Sequence, residues 1–197
     1  MRIATWNING IKARIEGLTA WLRETSPDVV CLQEIKSVTE GFPAGEIEAL
    51  GYSVAVYGQK GFNGVAILAK GPLDDVSRGL PGDPSDEQAR FIEAIVTGAR
   101  GIVRVGGLYL PNGNPLGTEK FDYKLRWMGR LIDHARARLT LEEPFVLLGD
   151  YNVIPEAQDA KRPEAWTGDA LAQPQSRALY SELRNLGFTD AIRAFHH

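Results

Sequence analysis

Apolar residues follow two different periods along the chain, and together these periods predict a mixture of strands and helices. Short runs rich in β-branched residues alternate with stretches in which apolar residues recur every three or four positions, as in amphipathic helices. The predicted strands span residues 2–8, 28–34, 52–57, 64–68, 89–97, 102–108 and 145–148. The predicted helices run from residue 15 towards Pro27, from 44 to 50, over roughly 20 residues from Glu119, and from about Leu179 to Gly187. Because two strand pairs have the spacing of hairpins and are interleaved with helices, the class is mixed α and β.

Turn-forming residues separate these elements without dividing the chain. The polar stretches 79–88 and 151–175 contain several Pro and Gly residues and are predicted to be irregular. There is no repeat and no linker-like segment, and 197 residues is an ordinary length for one domain. We therefore expect a single domain over residues 1–197.

The charge balance and the single cysteine restrict the class of protein. The sequence has 22 Lys and Arg against 25 Asp and Glu, a net charge of −3. This balance argues against a protein that coats nucleic acid by charge alone, but it leaves room for an enzyme with one basic face. Cys31 cannot form an internal disulfide and lies in an apolar run, which favours a buried core residue over a reactive thiol. With no signal peptide and no apolar run of membrane-spanning length, we expect a cytoplasmic protein.

Polar side chains collect where the predicted apolar strands end. Asn7 and Glu34 close the first two strand runs, and Asp150 and Asn152 follow the last one. Carboxylate and amide oxygens are the ligands that Mg²⁺ or Mn²⁺ prefers, and no Cys/His zinc pattern or Walker-type phosphate loop is present. Any one of these residues alone would be read as a turn former. Glu34 is harder to explain in that way, because a carboxylate ending an apolar strand needs a partner or a cation.

Five blocks of sequence resemble a known family. Residues 6–10 (WNING), 32–36 (LQEIK) and 149–155 (GDYNVIP) are similar to signature blocks of the endonuclease/exonuclease/phosphatase superfamily. Residues 58–67 and 107–113 resemble its bacterial exodeoxyribonuclease III branch, which includes abasic-site (AP) endonucleases. The resemblance implies a four-layer α/β sandwich, in which two packed mixed β-sheets are flanked by helices.

The same resemblance implies a function and a partner. The family hydrolyses phosphodiesters in double-stranded DNA with Mg²⁺ (or Mn²⁺) as cofactor. Its activities are 3′→5′ exonuclease action, incision at abasic sites and clean-up of 3′ ends, all steps of base excision repair. A monomer that binds no membrane is expected.

The resemblance also assigns roles to residues of the candidate site. Asn7 and Glu34 would hold the metal, Asp150 would orient and deprotonate the attacking water, and Asn152 would support the metal and the phosphate. Tyr109 would contact the scissile phosphate through its hydroxyl; without the Leu-Pro-Asn-Gly that follows it, a packing role on the core would be favoured.

Contacts to DNA are expected from loops around this site. The residues that match the binding rim of the family are Lys60, Arg90, Asn112 and Asn114. The predicted helix from Glu119 to Arg138 also carries six Lys and Arg against three Asp and Glu. That surplus is more typical of a solvated helix face than of a DNA site.

Two further blocks of the family do not occur in this sequence. The family has an Asp in a late strand and a Ser-Asp-His block near its C-terminus. The histidines here are His134, which has the spacing of a helix surface residue, and His196 and His197, which are either native or an addition. We therefore expect that the natural polypeptide continues past His197 and that the second sheet is incomplete in this chain.

Two rival functions stay open, and the missing Ser-Asp-His block supports only the second. One is another phosphoesterase of the same superfamily, acting on phosphoinositides, sphingomyelin or RNA. The other is a non-catalytic DNA-binding or interaction module that kept the scaffold and lost the chemistry.

Overall fold

The structure of the protein, a computed structural model, describes residues 1–98 and 101–195. Within this part of the chain, strands and helices alternate much as the sequence predicts. The strands are β1 (Ile3–Asn7), β2 (Val29–Gln33), β3 (Ser53–Tyr57), β4 (Val65–Ala69), β5 (Leu73–Arg78), β6 (Phe91–Gly98), β7 (Gly101–Tyr109) and β8 (Phe145–Asp150). The α-helices are α1 (Ile15–Thr25), α2 (Ala44–Glu48), α3 (Glu119–Leu139) and α4 (Pro174–Asn185).

The strands form two mixed sheets of four strands each. The first has the order β1-β2-β4-β3 and the second the order β5-β6-β7-β8. Each sheet contains one parallel pair, β1 with β2 and β7 with β8, and its other neighbours are antiparallel. Both predicted hairpins, β3 with β4 and β6 with β7, are confirmed, and so are the two mixed sheets.

The two sheets pack face to face through a core of small and β-branched side chains. Cys31 of β2 lies in this core with Ile67, Ile92 and Val105, and it is fully buried. Burial raises the pKa of the Cys31 thiol above its ordinary range, so the thiol stays protonated. A Cβ atom on Gly107 of β7 would lie 3.2 Å from the Cys31 Sγ, and the glycine therefore allows the close approach of the sheets. The prediction that Cys31 is a core residue is confirmed.

Helices cover the other face of the first sheet. Leu18 and Leu22 of α1 and Ile47 of α2 are buried against Val30 and Leu68 of the sheet. Trp6 of β1 and Trp21 of α1 meet edge to face with ring centres 5.6 Å apart. The regular spacing of apolar residues in α1 is what gives the helix one face to bury, as the sequence predicts.

Contacts along the chain define two compact units. The first contains residues Met1–Tyr109 and Glu142–Tyr151 and therefore holds both sheets with α1 and α2. The second contains Leu110–Leu141 and the chain from Asn152 onward, with α3 and α4. Thr118 caps α3 by accepting a hydrogen bond from the Lys120 backbone N–H. A single domain over the whole chain stays a prediction.

Three features differ from the expectation. Strand β5 has no counterpart in the prediction, because its alternation is weak and Asp74 and Asp75 are exposed. The buried face of α3 includes the charged Lys124 beside Trp127, Met128, Ile132 and Ala135, and the helical spacing of apolar residues does not predict a buried lysine. The segment predicted as irregular, 151–175, contains short 3-10 turns at Ala157–Asp159, Pro163–Trp166 and Ala170–Ala172.

In the described part of the chain, no helix is both long and apolar enough to span a membrane. The sequence feature His196–His197 lies outside the described residues.

Candidate functional site

The site is built at the ends of the two parallel strand pairs in the first unit. Asn7 is the last residue of β1, and Glu34 directly follows its parallel neighbour β2. Tyr109 and Asp150 end β7 and β8 and are opposite each other in the parallel register. Since parallel strands run in the same direction, the ends of each pair lie at one edge of the sheet. The packing of the two sheets then brings the two edges together.

Asn7 connects the two carboxylates of the site. Its Nδ2 atom donates to Glu34 Oε1 at 2.8 Å and to Asp150 Oδ2 at 2.9 Å. Its Oδ1 atom accepts from the Asn9 backbone N–H at 3.2 Å, which fixes the orientation of the amide. Glu34 and Asp150, which are 116 positions apart in sequence, therefore share one donor.

Glu34 is held ionised by the groups around it. Lys36 Nζ lies 3.1 Å from Glu34 Oε2 and also bonds to Asn9 Oδ1. Burial alone would raise the pKa of the Glu34 carboxyl, but hydrogen bonds from Asn7, Lys36 and Tyr109 outweigh it and lower this pKa below its ordinary value. The Glu34 carboxyl group is consequently ionised at neutral pH.

Tyr109 presents a protonated hydroxyl beside this carboxylate. Burial and the neighbouring Glu34 charge and hydrogen bond raise the pKa of Tyr109 to about 12, so it stays a hydrogen-bond donor at neutral pH. Arg90 stacks on the ring with its guanidinium carbon 5.0 Å from the ring centre. Arg90 Nη1 also donates to the Tyr109 backbone carbonyl at 3.3 Å. Tyr109 thus contacts site groups rather than serving only as core packing.

The backbone around the site is unusual and is held by hydrogen bonds. Asn9, Glu34 and Lys36 have φ values of 47°, 53° and 51°, in the left-handed region that non-glycine residues rarely adopt. The chain after β1 bonds to the chain after β2, from Gly10 N to the Glu34 carbonyl at 2.7 Å and from Ile11 N to the Ile35 carbonyl at 3.0 Å. These bonds determine the direction in which the Glu34 side chain leaves the sheet.

Three of the other predicted site residues, Asn112, Asn114 and Asn152, lie in the second unit. Asn152 Nδ2 donates to the backbone carbonyl of Leu110 at 2.8 Å, and the backbone carbonyl of Asn152 accepts from Lys124 Nζ at 2.5 Å. Lys124 also donates to the Asn112 carbonyl at 3.1 Å and is fully buried. Asn114 Nδ2 donates to Asn112 Oδ1 at 2.7 Å. Buried Lys124 therefore joins the backbone of two segments that the sequence marks as functional.

Of the predicted site residues, the structure gathers Asn7, Glu34, Tyr109 and Asp150 in the first unit. Among the expected DNA contacts, Lys60 is exposed in the loop between β3 and β4, and Arg90 is half-buried against Tyr109. Sequence reasoning missed Lys36, although it lies in a quoted block only two positions after Glu34. It also missed Asn63 and Gln88, whose polarity gives no signal in a loop.

The donor set of the first unit fits a hard divalent cation. Glu34 and Asp150 offer carboxylate oxygens, whereas the Asn7 amide directs its Nδ2 at both carboxylates and its Oδ1 at the Asn9 N–H. Over the residues described, 1–98 and 101–195, no group of three His, Cys, Asp or Glu side chains is placed to hold a metal. A cation at this edge would consequently rest on two carboxylates supplemented by neutral oxygens.

Two packed mixed sheets with a cluster of carboxylate and amide side chains at one edge are typical of one family of proteins. Residues 4–195 match the Endonuclease/Exonuclease/phosphatase family, and the chain belongs to this family. Exodeoxyribonuclease III of Haemophilus influenzae is 35% identical over 200 residues, which cover 98% of this chain and 75% of that protein.

Two solved structures share the fold along the whole chain. A 3′-5′ exonuclease from Neisseria meningitidis has a TM-score of 0.94 and is 37% identical, covering 100% of this chain and 75% of that one. An AP endonuclease from Archaeoglobus fulgidus has a TM-score of 0.93 and is 36% identical, covering 100% of this chain and 74% of that one. The resemblance to the exodeoxyribonuclease III branch and the mixed-sheet fold class are both confirmed. The chain spans about three quarters of the length of each of these relatives.

Proposed function

We propose that this protein hydrolyses phosphodiester bonds in double-stranded DNA, with 3′→5′ exonuclease, abasic-site endonuclease and 3′-end clean-up activities. The observation that carries this proposal is the cluster in which Asn7 joins Glu34 and Asp150, with the Tyr109 hydroxyl on Glu34. The relatives support it, since those compared above are named as an exodeoxyribonuclease, an exonuclease and an AP endonuclease. We further propose that it acts as a monomer in the cytoplasm.

Asp150 is proposed to activate the attacking water. Its carboxylate would accept a hydrogen bond from the water and then its proton, while the Asn7 amide fixes the orientation of the carboxylate from the other side. A positioned general base of this kind contributes about 10²–10⁴-fold to a rate. The parallel pairing of β7 with β8 holds the backbone at Asp150 in place, which limits the positions that its carboxylate can take.

Tyr109 and the rim residues are proposed to bind the phosphate groups. The protonated Tyr109 hydroxyl would donate to a non-bridging oxygen of the scissile phosphate. Lys60, Arg90, Asn112 and Asn114 would contact neighbouring phosphates, which orients the duplex without reading its sequence.

A divalent cation, Mg²⁺ or Mn²⁺, is proposed as the cofactor, with Glu34, Asn7, Asp150 and Asn152 as its protein ligands. To be a ligand, Asn7 would turn its amide so that Oδ1 replaces Nδ2 on the side of the carboxylates. When bound, the cation supplies positive charge that offsets the charge building on the phosphate oxygens. Glu34 suits this role because its lowered pKa keeps it ionised, and Lys36 would remain beside it as a second cation.

The test is cleavage by the full chain of a duplex that carries one abasic site, over a range of Mg²⁺ concentrations. Duplex with blocked 3′ ends, RNA and a phosphoinositide are run in parallel. Asp150→Asn is expected to reduce the turnover of the abasic duplex by about 10²–10⁴-fold. Glu34→Gln is expected to shift half-maximal cleavage to higher Mg²⁺ while the circular dichroism spectrum of the fold is unchanged.

Glu48→Gln is the matched control, because Glu48 is an exposed carboxylate on α2 of the same unit. It should cleave like the parent chain. Cleavage of RNA or phosphoinositide with intact duplex DNA would contradict the proposal in favour of another phosphoesterase. Metal-independent DNA binding without turnover would favour a non-catalytic module, and unchanged cleavage by Glu34→Gln at limiting Mg²⁺ would remove Glu34 from the ligand set.

A further inference from the structure

Three carboxamide side chains beside the site form a cluster that the proposed reaction does not use. We call Gln59, Asn63 and Gln88 the carboxamide cluster. Asn63 is at its centre and is only 4% exposed. Its Nδ2 atom donates to Gln59 Oε1 at 2.9 Å and to Gln88 Oε1 at 3.3 Å. The cluster thus joins the loop between β3 and β4 to the segment that leads into β6.

On one side, the carboxamide cluster continues to Tyr109. Gln88 Oε1 accepts a second hydrogen bond, from Arg90 Nε at 2.7 Å. Arg90 in turn stacks on the Tyr109 ring and donates to the Tyr109 carbonyl. The single oxygen of Gln88 therefore connects the buried Asn63 amide with the guanidinium that lies on the ring.

On the other side, the cluster continues to Glu34. The Asn63 carbonyl accepts from the Lys36 backbone N–H at 3.0 Å, and the Gly64 carbonyl accepts from the Ile35 N–H at 3.2 Å. These two residues follow Glu34 directly in the chain. The backbone that determines the direction of the Glu34 side chain is thus bonded to the same residues that carry the cluster.

The cluster also joins its two segments to each other. Gln59 Oε1 accepts from the Ala89 backbone N–H at 3.1 Å, and the Ala89 carbonyl accepts from Gly64 N–H at 2.9 Å. The side-chain oxygens of Gln59 and Gln88 thus each accept two hydrogen bonds. If either glutamine amide turned over, it would place an NH₂ group against the donors it now satisfies, so the orientation of each is determined by its neighbours.

Burial of Asn63 within this partly buried cluster costs desolvation energy, which packing with apolar side chains would avoid. What the cluster provides is a fixed geometry. An arginine side chain has several rotatable bonds and loses considerable entropy when it is held in one rotamer. Gln88 Oε1 accepts a hydrogen bond from Arg90 Nε, and this bond keeps the guanidinium over the Tyr109 ring.

We propose that Gln88, anchored by Asn63, is a positioning residue that holds Arg90 against Tyr109 and so directs the Tyr109 hydroxyl towards Glu34 and the substrate phosphate. The proposal rests on the proposed function. Gln88 acts through Arg90 and does not itself contact the reacting atoms. Arg90 then has a structural task in the site in addition to any contact with DNA.

The test compares Gln88→Met, which keeps the length of the side chain and removes the acceptor, with Gln88→Glu, which restores an acceptor oxygen. Gln88→Met is expected to lower kcat on an abasic duplex about tenfold, the effect of losing a hydrogen bond to a charged group, with KM within about twofold. Gln88→Glu should recover kcat to near the parent value. Gln175→Met, at an exposed position of α4, is the matched control and should leave both constants unchanged.

A second readout does not depend on activity. A hydrogen-bonded Arg90 Nε–H exchanges slowly enough to give a cross-peak in a ¹H–¹⁵N correlation spectrum, and loss of the peak in Arg90→Lys assigns it. The peak should be present in the parent chain and in Gln88→Glu, and exchange-broadened in Gln88→Met. Gln88→Ala gives the same comparison if Gln88→Met does not fold.

The outcomes separate this inference from the function on which it rests. If Gln88→Met retains the Arg90 peak, or loses the peak with kcat unchanged, the positioning role is wrong. A lowered kcat with the peak retained would also overturn it, because the effect would then not pass through Arg90. If the parent chain cleaves none of the substrates, the proposed function fails, and the peak alone decides whether Gln88 holds Arg90.

Discussion

Among single residues, the site depends most on Asn7 and Gly149. Asn7 satisfies two carboxylates with one amide nitrogen, and Gly149 allows the second carboxylate to be there. Gly149 precedes Asp150 in β8 and has a φ of 149°. A Cβ atom at this position would collide with the Leu108 carbonyl oxygen of β7. Only glycine combines this backbone angle with this close approach of the strands.

We therefore expect Gly149→Ala to destabilise the fold by about 3 kcal/mol or more, because the collision is with backbone and cannot be relieved by a side-chain rotation. Urea unfolding followed by circular dichroism measures the change. Gly17→Ala is the matched control: Gly17 lies in α1 with nothing near its Cβ position, so alanine should raise the free energy of unfolding by roughly 0.5–1 kcal/mol. Equal stability of the two variants would contradict the role of Gly149.

At the scale of elements, one arginine holds together the second sheet. Arg104 of β7 bonds to Glu93 of β6 at 3.1 Å, to Asp75 of β5 at 2.9 Å, and to Glu143 just before β8 at 3.0 Å. Glu93 is fully buried and Arg104 almost so. Burial lowers the pKa of the Arg104 guanidinium, but the hydrogen bonds that it donates to Glu143 and Asp75 outweigh this effect and raise the pKa. The edge strand β5, which is polar in sequence, pairs with β6 through the backbone, and the Arg104–Asp75 ion pair adds a side-chain contact from β7.

Replacing Arg104 by Met should destabilise the protein by about 3–5 kcal/mol, since the buried Glu93 carboxylate loses its counter-charge. The double variant Glu93→Gln with Arg104→Met removes both charges and should recover at least half of that loss. Chemical denaturation of the parent, of both single variants (Arg104→Met and Glu93→Gln) and of the double variant gives the coupling energy between the two residues. A double variant that is less stable than Arg104→Met would show that the ion pair is not the cause.

At the scale of the whole molecule, stability depends on carboxylates whose pKa is lowered by folding. A hydrogen bond from the Arg2 backbone N–H lowers the pKa of Asp28, and the site lowers that of Glu34. A group with a depressed pKa binds fewer protons in the folded state than in the unfolded state. Its stabilisation is therefore complete above the ordinary carboxyl pKa and is lost as the pH falls through the folded-state value.

The free energy of unfolding is thus expected to decrease as the pH falls from about 5 towards 3. Glu34→Gln should have a shallower decrease over this range, because one of the depressed groups is gone. Denaturant titrations at several pH values measure the slope, and Glu48→Gln serves as the control with an unchanged slope. A parent chain whose stability is flat between these pH values would contradict the pKa directions.

Most of the strands and helices could be predicted from the sequence alone, because the apolar periods that indicate them are local properties of the chain. The sequence also marked Asn7, Glu34, Asp150 and Tyr109, since polar groups that follow apolar strands stand out in one dimension and lie in blocks that resemble a family. It did not reveal β5, which has too few apolar residues to give a period and joins the sheet through its backbone pairing with β6.

Which of the polar side chains lie in contact depends on the tertiary structure and could not be predicted from the sequence. The two parallel strand pairs and the packing of the sheets through Cys31 and Gly107 bring Asn7 between Glu34 and Asp150. The roles of Lys36, Asn63 and Gln88 were likewise invisible in the sequence. A hydrogen bond depends on distance and direction in three dimensions, and these are determined by contacts between residues far apart in the chain.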